Sequence, residues 1–234
     1  MFTKTQRFYD LVYSWKDYRA EVEHLQDAVR TRKRSRGNRL LDVACGTGRH
    51  LELLRDRFQV EGVDLDPEML AMARERLPGV ELTQGDFRSF DLGRRYDVVT
   101  CLFSSIGYAR DVAELRQAIT TMARHLEPGG LLVVEPFIAP EQFIPGHLQL
   151  LCAEEPELKV ARMGRTEVRD GRVLLEFHYL VGESGQVEHL VEPHEMSLFR
   201  DEDFLEAFGE AGLEAEHDPE GLMGRGLFFG TRTL

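Results

Sequence analysis

Short apolar runs alternate with amphipathic stretches from residue 39 to residue 135 of this 234-residue chain. Such runs are typical of parallel strands buried on both faces, and the stretches between them are typical of the crossover helices that cover those strands. The alternation predicts a Rossmann-like α/β fold. The predicted strands are residues 39–44, 60–64, 80–83, 96–102 and 131–135, and the predicted helices are residues 8–13, 17–36, 49–56, 67–76 and 112–125.

The periodicity changes after residue 136. Apolar and polar side chains alternate along residues 173–180, and glycine-containing turns at 170–171 and 183–185 separate such runs. This pattern predicts an antiparallel β insertion after strand 5 of the main sheet. A helix at 201–211 and a last hairpin return the chain to that sheet, which predicts a mostly parallel seven-stranded sheet with helices on both faces. The predicted division is one domain of residues 1–136 plus 200–234 and an antiparallel insertion of residues 137–199.

The net charge is −12, which argues against a nucleic-acid partner because binding a polyphosphate needs a basic surface that displaces counterions. Residues 1–7 are polar and no apolar run approaches membrane-spanning length, so neither a signal peptide nor a membrane anchor is expected. Cys45 and Cys101 fall in apolar runs, where a reduced thiol packs as a small hydrophobe. We therefore expect a cytoplasmic protein that binds no nucleic acid and no membrane. A homodimer is compatible with the sequence.

A glycine-containing loop, residues 42–48, connects the first predicted strand to its helix. Glycines at this place let backbone amides approach a bound ligand. A dinucleotide-binding fingerprint would need a third glycine three positions after Gly48, where Leu51 stands. The loop therefore predicts a nucleotide-type ligand but disfavours a dehydrogenase.

Acidic residues follow the next two predicted strands. Asp64 ends the second strand, about 20 residues after the loop, where a carboxylate can accept hydrogen bonds from both hydroxyls of a ribose. The alternative role of helix cap is already filled by Asp66, next to Pro67. After the third strand, Asp86 can accept from an exocyclic amine and Phe87 can line the face of adenine. Because the carboxyl ends of neighbouring parallel strands meet at one edge of the sheet, these residues predict an adenosine site there.

With these three motifs in this order, the chain resembles the class I S-adenosylmethionine-dependent methyltransferases. The resemblance implies that residues 44–48 hold the methionine moiety, that Asp64 holds the ribose, and that Asp86 with Phe87 holds the adenine. Ala44 stands where many members carry glycine. S-adenosylmethionine is the expected cofactor, and no metal is expected. The resemblance implies these cofactor-binding residues: Tyr9, Tyr18, Ala44, Cys45, Gly46, Gly48, Asp64, Leu65, Met69, Gly85, Asp86, Phe87 and Leu102.

Further stretches are similar to the nucleotide-linked amino-sugar N,N-dimethyltransferases of macrolide biosynthesis, and the similarity extends through the insertion. It implies a small-molecule acceptor, namely a thymidine-diphosphate-linked 3-amino-deoxyhexose that is methylated twice on nitrogen. It also implies that the insertion is an antiparallel β lid, inserted after strand 5, that carries substrate contacts. The stretches are residues 41–48, 103–108, 125–130, 134–136 and 224–228.

The same resemblance implies roles for residues near the acceptor. Tyr108 is expected to face the amine as the catalytic residue, and Arg225 is expected to meet the diphosphate. We infer that Ser104, Phe137 and Arg165 also bind the substrate. Orienting two bound reactants supplies about 7–11 kcal/mol, whereas deprotonating an alkyl amine at pH 7 costs up to roughly 4–5 kcal/mol. Positioning is therefore expected to dominate, with Tyr108 or a water as a modest proton acceptor.

Alternatives stay open for several residues and for the acceptor. Tyr9 could instead dock the N-terminal helix, and Arg225 could pair with a surface acid. Phe137 and Ile138 stand where relatives carry paired tryptophans, and residues 164–166 replace their Ser-His-Ser. A same-fold enzyme that methylates another small acceptor on nitrogen or oxygen is therefore the first alternative. The second is a non-catalytic protein that binds S-adenosylmethionine.

Overall fold

The computed structural model describes residues 4–169 and 171–234. Its strands form two sheets, a mostly parallel seven-stranded sheet and a four-stranded antiparallel sheet. The strands are β1 (Arg39–Val43), β2 (Gln59–Asp64), β3 (Glu81–Gln84), β4 (Tyr96–Cys101), β5 (Leu126–Val134), β6 (Leu148–Glu155), β7 (Leu158–Arg169), β8 (Arg172–Glu183), β9 (Gln186–Met196), β10 (Leu213–Asp218) and β11 (Leu227–Arg232).

The seven-stranded sheet has the order β10-β11-β5-β4-β1-β2-β3. Strands β1 to β5 pair in parallel, and β11 pairs antiparallel with both β5 and β10. The strands of its centre are buried on both faces, as their continuous apolar runs predict. The predicted α/β, Rossmann-like fold with an antiparallel lid is confirmed.

Helices cover both faces of this sheet. Val22, Leu25 and Leu70 belong to the core on one face, and Leu115 and Phe204 belong to the core on the other. Within the residues that the structure describes, no helix is both long and apolar enough to cross a membrane. The helices are α1 (Tyr9–Val12), α2 (Tyr18–Arg32), α3 (Arg49–Leu54), α4 (Pro67–Arg76), α5 (Val112–Arg124) and α6 (Asp201–Glu210).

Two predicted boundaries were wrong by four or five residues. The helix predicted to reach residue 36 ends at Arg32, because Lys33 turns to an extended backbone and the amides of Arg34 and Ser35 both donate to the carbonyl of Gly129. Strand β5 begins at Leu126, five positions before the predicted start at residue 131. The two glycines predicted a turn at this place. The strand instead continues through them, and its register opposite β4 is irregular between Tyr96 and Val98, which accommodates the extra residues.

The four-stranded sheet, in the order β6-β7-β8-β9, forms the lid. Successive side chains along each strand point to opposite faces, and the inner face carries buried residues such as Val160 and Phe177. These pack against Phe8 and Val12 from the N-terminal segment. The inner face is therefore fastened to the chain's own N-terminal helix.

Residues 4–13 form a strap that connects the lid to the main domain. On the lid side, the backbone amide of Lys4 donates to the buried carboxylate of Glu192 at 2.9 Å. On the main-domain side, the Oγ1 hydroxyl of Thr47, in the glycine loop, donates to Asp10 at 2.7 Å. The strap therefore links the lid to the loop predicted to hold the cofactor.

Candidate active site

The loop between β1 and α3 has a left-handed backbone at three positions. The angle φ is 58° at Ala44, 54° at Gly46 and 77° at Gly48. Glycine adopts such angles freely, whereas a residue with a Cβ atom does so at a cost of roughly 1–2 kcal/mol. Gly48 also has no room for a side chain, since a Cβ atom there would stand 2.7 Å from Cδ1 of Leu77. The turn therefore depends on glycine, and Ala44 holds it under strain.

A cavity of about 250 Å³ opens where β1, β2 and β3 end. It lies at the edge where doubly wound sheets bind ligands. Asp66 and Arg88, which were not predicted as site residues, also line it. The predicted cofactor-binding residues that it brings together are Tyr9, Ala44, Gly46, Asp64, Leu65, Met69, Gly85, Asp86 and Phe87.

A second, smaller cavity of about 40 Å³ adjoins the first, since Tyr9, Ala44 and Gly46 line both. Three more of the predicted residues, Tyr18, Cys45 and Leu102, line the second cavity. Gly48 lines neither cavity. It begins α3 with its backbone against α4, so its contribution is to the turn.

The carboxylate of Asp64 lies between the glycine loop and the start of α4. Its Oδ2 accepts a hydrogen bond from the amide of Gly46 at 2.7 Å, and its Oδ1 accepts from the amide of Asp66 at 2.8 Å. Burial raises the pKa of this carboxyl, and the backbone amides oppose the rise. Each oxygen keeps a further lone pair, so the carboxylate can still accept from a ribose.

Asp86 reaches the cavity, but its carboxylate already has a partner. The Nε of Arg88 donates to Oδ1 at 2.9 Å and to Oδ2 at 3.1 Å, and Arg88 also bonds Glu114 at 3.0 Å. Hydrogen bonding to Arg88 holds the pKa of Asp86 below its usual value. The carboxylate is therefore fixed and charged, with lone pairs left for an adenine amine. An arginine two positions after the acid was the sequence signal for this pair.

Two charged residues that sequence reasoning did not assign line the smaller cavity, Asp42 and Arg49. Asp42 is buried and accepts from the Oγ1 of Thr100 at 2.7 Å, and burial raises the pKa of Asp42 to about 6. The guanidinium of Arg49 lies 5.5 Å from the ring centroid of Tyr18. A methionine moiety carries one ammonium and one carboxylate, so an acid and a base in one cavity suit it. These residues fit S-adenosylmethionine.

A third cavity, of about 420 Å³, lies between the strap, the 3₁₀ turn Ser105–Tyr108 and the inner face of the lid. Among the predicted substrate-binding residues, Ser104, Phe137 and Arg225 line it, as does Tyr108. Its apolar wall is supplied by the side chains of Trp15, Phe137, Ile138, Phe143, Ile144, Leu175, Phe177 and Met196.

Arg225 and Ser104 are in direct contact in this cavity. The Nη1 of Arg225 donates to the hydroxyl of Ser104 at 2.7 Å, and that hydroxyl donates to the carbonyl of Pro136 at 3.0 Å. Ser104 and Phe103 have φ angles of 65° and 52°, so the chain turns sharply where β4 ends. The other N–H groups of the Arg225 guanidinium can donate to an anionic ligand.

Arg165, predicted to bind substrate, does not reach the cavity. It lies on the outer face of the lid, where it pairs with Glu176 at 2.9 Å and Glu167 at 3.0 Å. Strand alternation sends its neighbours inward, and Arg162 is 3% exposed and lines the cavity. Arg162 donates to the hydroxyl of Tyr13 at 2.9 Å. Sequence reasoning missed Arg162, although its even spacing from the buried Val160 was a signal.

Three residues line both the cavity of about 250 Å³, which we call the adenosine-side cavity, and the cavity of about 420 Å³, which we call the large cavity. They are Tyr9, Ser105 and Tyr108. They therefore mark where a group would pass from one bound molecule to the other. The hydroxyl of Tyr108 lies 2.7 Å from Nδ1 of His194, on β9. Burial raises the pKa of Tyr108 and lowers the pKa of His194 to about 3. His194 was not predicted as a site residue.

No group of three His, Cys, Asp or Glu side chains suited to a metal ion occurs among residues 4–169 and 171–234. The acids nearest the cavities are engaged with backbone amides, a hydroxyl or a guanidinium, as for Asp64, Asp42 and Asp86. Chemistry that needs no metal therefore stays our prediction.

A seven-stranded sheet that ends in an antiparallel hairpin, a left-handed glycine loop and acids after β2 and β3 characterise one class of enzyme. They are the marks of the class I S-adenosylmethionine-dependent methyltransferases, the class that the sequence predicted.

Comparison with known proteins agrees. The family described as "Methyltransferase domain" matches residues 40–130. The dTDP-3-amino-3,6-dideoxy-alpha-D-glucopyranose N,N-dimethyltransferase of Streptomyces fradiae is 44% identical over 226 residues, which cover 95% of this chain and 88% of that protein. The crystal structure of Streptomyces venezuelae DesVI has a TM-score of 0.93, with 39% identity and complete coverage of both chains. The structure of SAM-bound CalS10, an amino pentose methyltransferase from Micromonospora echinaspora, has a TM-score of 0.88 with 40% identity. It covers 100% of this chain and 98% of that one.

The chain belongs to the family of N,N-dimethyltransferases of dTDP-linked amino deoxysugars. It is an enzyme, and its methyl donor is S-adenosylmethionine. Both predictions are thereby confirmed, and the non-catalytic alternative falls away.

Proposed function

We propose that the enzyme transfers methyl groups from S-adenosylmethionine to the amino nitrogen of a dTDP-linked amino deoxysugar, twice in succession. The observation that carries the proposal is the junction at Tyr108, where the adenosine-side cavity meets a larger cavity with two arginines. One cavity suits the methyl donor and the other suits an acceptor with both a sugar ring and a charged tail. The activity of the relatives supports the same acceptor class.

The large cavity has the chemistry that a nucleotide-linked deoxysugar requires. Rings such as Phe137 and Phe177 can cover the apolar faces of a sugar that lacks hydroxyls. Arg225 offers a planar donor set for a phosphate, and Arg162 adds a second positive charge in the same wall. The negative charges of a diphosphate would complement both guanidinium groups.

The transfer itself is a single displacement. Bound S-adenosylmethionine supplies a methyl group activated by a sulfonium. The lone pair of the acceptor nitrogen forms the new N–C bond while the C–S bond breaks and its electron pair stays on sulfur. The nitrogen then gives its proton to water. The part of the protein is to align the two reactants across the junction that Tyr9, Ser105 and Tyr108 form.

The direct test is incubation with S-adenosylmethionine and dTDP-3-amino-3,6-dideoxyglucose, followed by mass spectrometry. We expect an intermediate heavier by one methylene unit and a final product heavier by two. The 4-amino isomer, the sugar without its nucleotide, dTDP-glucose, a phenol and a carboxylic acid serve as comparison acceptors. If the phenol or the acid is methylated and the amino sugars are not, the acceptor is another small molecule and the proposal is wrong.

We also propose that the enzyme is a homodimer through the outer face of the lid. Leu150, Met163, Leu180 and Val187 are 65%, 47%, 52% and 75% exposed there, and strand register makes them neighbours. Clustered exposed apolar side chains are typical of surfaces that bind another protein.

Sedimentation velocity at micromolar concentration tests the dimer. The wild type is expected to sediment as a dimer and Leu180→Glu as a monomer. Leu205→Glu, which replaces an exposed leucine on α6, is the matched control and should stay dimeric. A monomeric wild type would contradict the proposal.

A further inference from the structure

His194 is a buried histidine that faces the large cavity from the lid. It is 1% exposed and lines that cavity together with Tyr108. Its ring centroid lies 5.3 Å from that of Phe177, in an edge-to-face arrangement. The imidazole is therefore held by packing in one orientation.

The turn that carries Tyr108 and the strand that carries His194 are joined at a second point. The amide of Ser197, directly after β9, donates to the carbonyl of Gly107 at 2.8 Å. A Cβ atom at Gly107 would stand 2.8 Å from Cε of Met196, so turn and strand are in close contact. The distance of 2.7 Å between the hydroxyl of Tyr108 and Nδ1 of His194 is thus built into the fold.

Both groups of this hydrogen bond are uncharged. Burial raises the pKa of Tyr108, so the phenol keeps its proton, and burial lowers the pKa of His194 to about 3, so the imidazole is neutral. A phenol is the better donor of the two groups and an imidazole nitrogen is the better acceptor. When the hydrogen of the neutral imidazole is at Nε2, Nδ1 accepts a hydrogen bond from the hydroxyl of Tyr108.

His194 is too weak a base to take the proton of the methylated amine. An alkylammonium group titrates near pH 10.4. Transfer from it to an imidazole with a pKa of about 3 would be disfavoured by about seven orders of magnitude. The imidazole must act in another way.

We propose that His194 is a positioning residue: it turns the hydroxyl hydrogen of Tyr108 away from the acceptor, so that the phenol oxygen can only accept a hydrogen bond from an N–H of the acceptor. This inference rests on the proposed amine substrate. An N–H held by Tyr108 leaves the nitrogen lone pair free to point across the junction to the methyl donor. A hydroxyl hydrogen turned the other way would bond to that lone pair and block it.

The same contact limits the number of methyl groups. A primary amine offers two N–H donors and a monomethylated amine offers one, so both can be held by Tyr108. A neutral dimethylated amine offers none. The bond between Tyr108 and His194 therefore favours two transfers and disfavours a third.

A double-mutant cycle tests the coupling. We expect His194→Leu to lower kcat by about five- to tenfold, with the affinity for S-adenosylmethionine and the melting temperature little changed. In the Tyr108→Phe background the same substitution should change kcat by less than about twofold, because its target is gone. His194→Asn, whose Oδ1 can replace Nδ1 as acceptor, should restore most of the activity. Losses that multiply in the double mutant would overturn the proposal.

If His194→Leu does not fold, His194→Gln completes the cycle, since its amide lies beyond the position of Nδ1. An independent readout is ¹⁵N NMR of histidine-labelled enzyme without substrate. We expect the signal of His194 Nδ1 to be of the unprotonated, hydrogen-bonded type and to move in Tyr108→Phe. A protonated Nδ1 would reject the inference even if amino sugars are methylated. A wild type that leaves amino sugars unmethylated while its Nδ1 signal is as expected would instead reject the proposed function.

Discussion

The backbone amide of Gly46 donates to Oδ2 of Asp64 at 2.7 Å, which joins the glycine loop to the end of the neighbouring strand. Asp64 also accepts from the amide of Asp66, at the start of α4. One carboxylate therefore shapes both sides of the cavity that suits adenosine.

Asp64→Asn should weaken the binding of S-adenosylmethionine by about 10- to 100-fold, because hydrogen bonds to a charged group contribute about 1.5–3 kcal/mol. Isothermal titration calorimetry measures the change. Asp56→Asn, on an exposed loop, is the matched control and should bind as the wild type does. Equal affinities for all three proteins would refute the role assigned to Asp64.

Asp42 should make the enzyme less stable as the pH rises. Burial raises its pKa from 3.8 to about 6 in the folded state, so the folded protein binds the proton more tightly than the unfolded chain does. Each pKa unit corresponds to about 1.4 kcal/mol. The contribution is therefore fully present below pH 3.8 and is lost as the pH rises through about 6.

Asp42→Asn, which keeps an acceptor for Thr100, should accordingly raise the free energy of unfolding by about 2–3 kcal/mol at pH 8 and by progressively less below pH 6. Urea unfolding at several pH values measures this. The same variant should bind S-adenosylmethionine more weakly, because the carboxylate that suits the ammonium is gone. If the variant is no more stable than the wild type at pH 8, burial of the ionised Asp42 carboxylate does not destabilise the folded protein.

Tyr108→Phe should keep substantial activity. The change removes one hydrogen bond to the acceptor, which corresponds to about a five- to tenfold lower kcat, while the larger contribution of alignment remains. Initial rates and cofactor affinity are measured side by side. If turnover is abolished while the cofactor still binds, Tyr108 is essential and alignment of the two reactants is not the larger contribution.

Arg225→Gln should raise KM for a dTDP-linked acceptor by about 10- to 100-fold with a smaller effect on kcat, because a charged hydrogen bond to phosphate is lost. Arg165→Gln on the outer face of the lid is the control and should leave KM unchanged. The difference should shrink for an acceptor without its nucleotide. An equal effect of both substitutions would place the diphosphate elsewhere.

The cofactor side of the site could be predicted from the sequence because it is built locally. The glycine loop and Asp64 follow from strand ends and short spacings, and parallel strands bring such ends to one edge. Even there the pair between Asp86 and Arg88 was missed, because a spacing of two residues is a signal for such a pair but does not establish that the two side chains meet.

The acceptor side could be predicted only in part because it depends on strand register. A shift of one residue sends every side chain of a strand to the other face, and Arg162 and Arg165, an odd number of positions apart, accordingly lie on opposite faces of the lid. His194 reaches the site because the residue after β9, Ser197, is hydrogen-bonded to the turn that carries Tyr108. Its contact with Tyr108 joins positions 86 residues apart, which no local pattern reveals.

The strap has a consequence for the sequence of events in catalysis. Tyr9 of the strap borders both the donor and the acceptor cavities, while Lys4 and Asp10 fix the strap to the lid and to the glycine loop. Each methylation consumes one molecule of S-adenosylmethionine. Between the first and the second transfer, the demethylated product must therefore leave and a fresh S-adenosylmethionine must bind. An exchange that displaces the strap also loosens the acceptor cavity. We therefore expect distributive kinetics, in which the monomethylated sugar leaves the enzyme after the first transfer. It then competes with unmethylated sugar to bind again for the second.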